Sequence, residues 1–496
     1  MCLVRWLVAG IVVMALAGTA SAATYYVATT GTNATCVAAQ TITTPAQTIA
    51  FGVGCLSAGD TLYIRTGTYA ERIDPNDYTI PSGASWVAPI TIAGYPNETV
   101  TISGGVNIQD NLNLSVPVYL VFDNLTLRNG LGNAFRIGGN VNHIRVKNSD
   151  IQSTKTNSVF ADNTTSYLEV LNCNIHDSPI EFVPAWNMTT GTYGLYLSGN
   201  NMTITGNNIQ NNTGYGIHEY QEGGTNVSNN VIANNIITGN GFDDGERGSE
   251  LGGAIISSGD NNLFYNNIVY SNKHGVIIGH ISSAGNNKIY NNTIYGNQGL
   301  GLQFLADSPN TTAQNNIVYL NGNGTPGQQI VDWGTTGLTA DHNLITDPSF
   351  VNAGAANFRL QSGSAARDAG ITVGAVTTDI ESIARPQGVA YDIGAYEFTN
   401  APPSTATATI TWADVAGEIE YLIEKSIDGG VTYAALKTVA ANTTSTTDNQ
   451  IVIGTLYCYR VIARNSVGNR AASEPICDTP GLPGRTTTPS VSFVVP

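Results

Sequence analysis

Charge is scarce in this 496-residue chain, with only 11% Asp, Glu, Lys and Arg against roughly 25% in ordinary soluble domains. That scarcity, with no helical spacing of apolar residues anywhere, excludes a fold of charge-laced surface helices. Bases are scarcer than acids, 20 against 36, for a net charge of −16. Nucleic acid is excluded as a partner, because phosphate binding needs basic stripes. The same field repels an anionic polysaccharide, which such a chain can meet only through a local cationic site or a metal ion. Beyond the N-terminus, no apolar run approaches the roughly 20 residues that cross a bilayer.

The one apolar run, Leu7 to Leu16, follows the single cation Arg5 and precedes Ala20-Ser21-Ala22, a small-x-small cleavage pattern. Residues 1–22 read as a signal peptide rather than as a membrane anchor, since the run is too short to span. The mature chain is expected to be secreted or at the cell surface, with no membrane attachment. Cleavage leaves five of the six cysteines. Cys36 with Cys55, and Cys458 with Cys477, are expected to be disulfides in an oxidising compartment. Cys173 remains as a buried, inert thiol.

What the chain has instead is glycine, asparagine and a repeat. Asn-Asn-apolar steps recur at Asn207-Asn208-Ile209, Asn234-Asn235-Ile236, Asn266-Asn267-Ile268, Asn291-Asn292-Thr293 and Asn315-Asn316-Ile317, with degenerate copies around Asn124, Asp150, Asn174 and Asn343. Marking the second residue of each gives intervals of 26, 24, 34, 27, 32, 25, 24 and 27 residues. That period is one turn of a solenoid. A second short strand follows in each period, as in Phe135-Arg136-Ile137, Leu195-Tyr196-Leu197, Ile217-His218-Glu219, Val276-Ile277-Ile278 and Leu302-Gln303-Phe304, with the middle residue outward. Stacked coils about 4.8 Å apart line the asparagines up as a hydrogen-bonded ladder. The marked register places Ile209, Ile236, Ile268 and Ile317 in one buried column.

These features resemble the pectate-lyase-like, right-handed parallel β-helix superfamily. So does the entry segment, Tyr25-Tyr26-Val27, Ala58-Gly59-Asp60-Thr61-Leu62-Tyr63-Ile64, Gly67-Thr68-Tyr69 and Ala88-Pro89-Ile90-Thr91-Ile92. The exit, from Asp347-Pro348-Ser349-Phe350 through Arg385-Pro386 to Asp392-Ile393-Gly394-Ala395-Tyr396-Glu397, resembles the choice-of-anchor closing module. Trp412, Tyr421-Leu422-Ile423-Glu424 and Tyr457-Cys458-Tyr459-Arg460-Val461 resemble a fibronectin type III sandwich. The expected fold is therefore all-β: a right-handed parallel β-helix solenoid over 23–398, closing from about 341, a linker at 399–407, a small β-sandwich at 408–480 and a loose tail at 481–496.

Groove walls on a solenoid come from loops inserted between strands, and the long intervals of 34 and 32 residues locate two. The first holds His176, Asp177, Glu181 and Trp186, and the second Asp243, Asp244, Glu246, Arg247 and Glu250. His218, Tyr220 and Glu222 lie between them, and Lys273, His274 and His280 follow. His143 and His342, outside this cluster, read as structural. Both insertions are expected to leave from one side and enclose His218.

Three functions fit. A polysaccharide lyase on a uronate-containing polymer needs a base, His218 or Lys273, a proton donor, Tyr220, and a neutraliser of the uronate carboxylate. The neutraliser is Arg247 or a calcium ion held by Asp243, Asp244 and Glu246. Trp186, His176, Glu222 and His274 are the expected substrate-binding residues, with Trp186 stacking on a sugar. A glycoside hydrolase pairs Glu222 with Asp243, Asp244 or Glu246. A non-catalytic adhesin or surface carbohydrate-binding protein uses the solenoid as a rod and shows a flat outer face of Asn, Ser and Thr.

Overall fold

A computed structural model of the chain describes residues 22–109, 117–129, 132–153, 155–183, 188–221, 227–242, 252–279, 285–400, 405–427, 430–452, 457–465, 468–473, 475–478 and 490–493. Within these residues three parallel sheets wind into a β-helix. Sheet A has 12 strands from Thr24–Val27 to Thr339–Asp341, sheet B ten from Gly67–Tyr69 to Ile317–Tyr319, and sheet C nine from Val106–Gln109 to Ile330–Asp332. A complete coil gives each sheet one short strand, paired in parallel with its neighbours, and the end coils supply only some of the three. Alternation sends every second side chain inward. On sheet A this builds the buried column Leu62, Ile92, Phe122, Val146, Val170, Ile204, Ile232, Phe264, Ile289 and Ala313. Two short helices, Cys36–Ala39 and Ile49–Gly54, cover the N-terminal end, burying Ile49 and Val53 against the core, and the Cys36–Cys55 disulfide ties them together.

The corners explain the asparagines. Between sheets A and B, Asn124, Asn148, Asn172, Asn234, Asn266, Asn291 and Asn315 turn the chain with φ of 50 to 60°, a left-handed conformation that asparagine tolerates and most residues do not. The next residue points inward, and from Asn207 through Asn235, Asn267, Asn292 and Asn316 to Asn343 each side-chain oxygen accepts the backbone N–H and the amide of the coil before it at 2.9–3.1 Å, except that Asn207 receives only the N–H of Cys173. A second ladder, Asn212, Asn240, Asn272, Asn297 and Asn321, ends on Gln329, whose side-chain oxygen supplies the last rung. Cys173 occupies a ladder position and is fully buried, as expected.

One register expectation is corrected. Gly206, with φ of 71°, turns the corner where later coils use the first asparagine, so Asn207 rather than Asn208 is the rung. Ile209 consequently stacks inward with Ile175, Ile237, Val269, Ile294 and Val318. Ile236, Ile268 and Ile317 form a different, outward column with Thr293. That column is nonetheless buried, because the chain after Leu344 folds back over it. Phe350, Phe358, Leu360, Ile380, Ile393 and Tyr396 pack on those isoleucines. Arg385, buried completely, fastens the flap by donating to Glu397 Oε1 at 2.7 Å, the Gly394 and Asp392 carbonyls and Asn266 Oδ1.

Asn267→Ala is expected to destabilise the solenoid by about 2 kcal/mol or more, since it strands the Asn235 N–H and removes one bond each from the Asn235 amide, the Ile232 carbonyl and Asn292 Oδ1, an unmet buried group costing about 1–3 kcal/mol. The exposed Thr339→Ala should stay within about 0.5 kcal/mol. Denaturant unfolding of both variants checks this.

The C-terminal strands form two further sheets around Ile410, Trp412, Tyr421, Ile423, Ile451, Tyr459 and Val461. Tyr421 packs on Trp412, its hydroxyl accepts the Val415 N–H and donates to Asp414, and Cys458–Cys477 is a disulfide. This unit begins earlier than expected, with Thr405–Trp412, and Ser490–Phe493 pairs in parallel with that strand, so part of the anticipated loose tail belongs to a sheet.

Candidate functional site

With the flap over the corner between sheets A and B, sheet C offers the face where insertions gather. Its outward column runs Asn107, Arg136, Phe160, Tyr196, His218, Ile256, Ile277, Gln303 and Val331 along the axis. The hairpin Ile180–Val183 with Met188–Gly191 leaves the corner between sheets B and C one coil before His218. The other long insertion, between Ile236–Thr238 and Ile255–Ser257, leaves the same corner one coil after it. Both stems therefore flank the His218 coil from one side, as expected. On the opposite edge, 11 residues separate Ile217–Glu219 from Val231–Ala233, where the preceding coil uses five. Long connections thus leave both edges of the face around the His218 coil.

His218 points outward from its strand yet is only 7% exposed, because tyrosines surround it. Its ring centroid lies 4.7 Å from Tyr193, 5.2 Å from Tyr196, 5.4 Å from Tyr220 and 5.7 Å from Tyr215. Tyr193 and Tyr215 each stand just before a tight turn at Gly194 and Gly216. A Cβ at Gly194 would lie 2.6 Å from the Gly216 carbonyl, and one at Gly216 2.9 Å from that of Ala254. The sequence reading missed these two tyrosines, although Tyr-Gly at the same offset from successive strands was a readable signal. It also passed over Arg136 and Phe160, which share the outward column of His218. Glu219, next to His218, faces inward and is fully buried. Burial pushes its carboxyl up, against the bonds from Ser257, Asn230 and Asn262, so it is a core acid and not a groove carboxylate.

Other expected residues are placed as follows. His274 stands in the same corner column as Tyr193 and Tyr215, two coils past Tyr215, about 10 Å along the axis; its Nδ1 accepts the Leu300 N–H at 3.2 Å. Lys273 precedes it and is half-buried. Trp186, Glu222, Asp243, Asp244, Glu246, Arg247, Glu250 and His280, and the expected signal peptide up to residue 21, lie outside the described residues. Among the described residues no group of three His, Cys, Asp or Glu could hold a metal ion.

His176 is separated from this face. It extends outward from sheet B, opposite Gln210, with Nε2 2.8 Å from Asp150 and Nδ1 2.6 Å from Asp177, while Arg128 binds Asp150 from the other side. Burial alone lowers the basicity of this imidazole, but the two carboxylates outweigh it and raise its pKa to about 9. The folded chain therefore keeps a proton that the unfolded chain, at about 6.5, releases. The resulting stabilisation, on the order of 3 kcal/mol, is complete below about pH 6.5 and lost as pH rises to about 9. The stability difference between the parent protein and His176→Gln should shrink over that window in urea titrations, and a flat difference contradicts it.

Comparison with known proteins agrees with the architecture. The family described as "Right handed beta helix region" matches residues 100–345. Uncharacterized protein YwoF of Bacillus subtilis (strain 168) is 26% identical over 255 residues, 47% of this chain and 53% of that protein. The chain thus spans about half the length of this curated relative. The crystal structure of pectate lyase Pel9A superposes with a TM-score of 0.54 at 15% identity, over 77% of this chain and 98% of that one. A rhamnogalacturonan lyase gives a TM-score of 0.46 at 14% identity, over 69% and 94%. The family match and the first superposition support the right-handed β-helix superfamily as the home of this fold.

Proposed function

We propose that the chain is a secreted polysaccharide-degrading protein whose sheet C groove cleaves a uronate-containing polymer by β-elimination. One observation carries this reading: a histidine set among four tyrosines on a face from whose two edges long connections leave. The outward column of arginine, aromatics, histidine and isoleucine also differs from the flat Asn, Ser and Thr face of a rod. The superposed pectate lyase lends the substrate class.

In this reaction a base removes the proton at C5, beside the uronate carboxylate. The electron pair forms the C4–C5 double bond, the C4–O bond breaks, and the leaving oxygen takes a proton. His218 is the proposed base, with Lys273 as the further candidate. Tyr220, its ring centroid 5.4 Å from that of His218, is the proposed donor to the leaving oxygen. Arg247, or a calcium ion that Asp243, Asp244 and Glu246 would hold, is the proposed neutraliser of the carboxylate. A hydrolase needs two carboxylates flanking the bond, and the pair that reading uses, Glu222 with Asp243, Asp244 or Glu246, lies outside the described residues.

Mass spectrometry of the products tests the reading. Elimination gives new chain ends lighter by one water than those of hydrolysis, and saturated ends from every uronate polymer would overturn it.

A further inference from the structure

The sheet C face continues towards the N-terminal coils as one row of rings. Tyr196 stands one coil before His218. Phe160, a coil earlier, stacks on Tyr196 at 5.4 Å with 11° between their planes. Arg136, one coil earlier again, lies over Phe160, its guanidinium carbon 5.0 Å from the ring centre. An outward strand position on a sheet whose interior is already filled gains no core packing from such residues, and all three remain partly exposed.

Arg136 also differs from three other cations of the solenoid's sheets. Arg145 is paired with Glu169, Lys147 with Asp123 and Arg128 with Asp150. Among the described residues Arg136 makes no ion pair. Its nearest anchor is the Gln109 amide, whose oxygen, turned toward it, accepts from Nε at 2.7 Å and Nη2 at 2.9 Å. A guanidinium has five donors, so this anchor fixes the plane and leaves donors free. In a chain of net charge −16, an arginine that pairs with no carboxylate among the described residues and is held between a ring and an amide is a built anion receptor.

We propose that Arg136 binds a carboxylate of the polymer at a subsite remote from the reacting sugar, and that the chain lies along the axis over Phe160 and Tyr196. This rests on the proposed function and deepens it. Arg136 is three coils from His218, about 14 Å at the coil spacing, a span of several sugars in an extended chain. It selects charged polymers over neutral ones and sets the direction in which the polymer threads the groove.

The test is calorimetric titration of the protein, Arg136→Gln, Arg136→Lys and Phe160→Ala with hexamers and dimers of galacturonate, mannuronate and guluronate, and with the carboxyl-reduced hexamers. For whichever hexamer binds, Arg136→Gln should weaken affinity at least tenfold and Arg136→Lys should recover part of it. The reduced hexamer and the dimer should be unaffected, while Phe160→Ala weakens both hexamers. Equal loss for charged and reduced hexamers, or no loss, overturns the Arg136 assignment while leaving uronate binding intact. A parent protein that binds the reduced hexamers and none of the uronate ones overturns the uronate reading, and this assignment with it.

Discussion

His218→Gln is expected to lower turnover on the uronate substrate by about 10²–10⁴-fold, the usual contribution of a positioned general base. Glutamine keeps a polar side chain of similar reach among Tyr193, Tyr196, Tyr215 and Tyr220, so the ring cluster need not collapse. The size matters because His218 is more enclosed than an outward strand residue suggests, and alanine would leave a hole there as well as remove the base. Tyr220→Phe should lower the maximal rate while leaving KM within about twofold, because only a transition-state interaction is removed. Unchanged turnover in His218→Gln, with unchanged melting, removes His218 from the chemistry and leaves Lys273 to be tested.

Glu397→Ala is expected to cost about 3–5 kcal/mol, the penalty for leaving a buried partner charged and alone. Both side chains of the Arg385–Glu397 pair are completely buried, and Glu397 also accepts the Asp392 and Gln387 N–H groups. Loss of this clamp should loosen the flap first, so hydrogen exchange should rise at Ile236, Ile268 and Ile317 before the Phe122 and Phe264 column responds. Replacing both partners by apolar residues should recover part of the loss. A single variant that unfolds like the parent protein would show that the flap is held by its aromatic residues alone.

The solenoid was legible because its physics is local and repeated: two-residue alternation, left-handed asparagines and a coil of nearly constant length. The register failed at Gly206 because glycine and asparagine both satisfy a left-handed corner, so the Asn-Asn pair slid by one residue without a visible break. Ile236, Ile268 and Ile317 were read as core for the same apolar character that buries them. Their partners, however, are Phe350, Phe358 and Ile393, a long way on in the sequence. The clamp from Arg385 to Asn266 spans 119 residues, a contact no local pattern encodes. At the site, interval lengths located both insertions and the coil they flank. The column of Arg136, Phe160 and Tyr196 was missed because loops were searched for charge while the strand between them was read for burial. His176 was grouped with His218 by proximity in sequence, although the corner between sheets B and C separates them.

The measurement that bears most directly on the account is incubation of the protein with uronate and neutral polysaccharides, following ultraviolet absorbance of unsaturated uronate together with reducing ends. The account predicts that both signals rise in step on at least one uronate polymer, stay flat on neutral ones and disappear in His218→Gln. Reducing ends without absorbance, or binding to uronate polymers with neither signal, would contradict it.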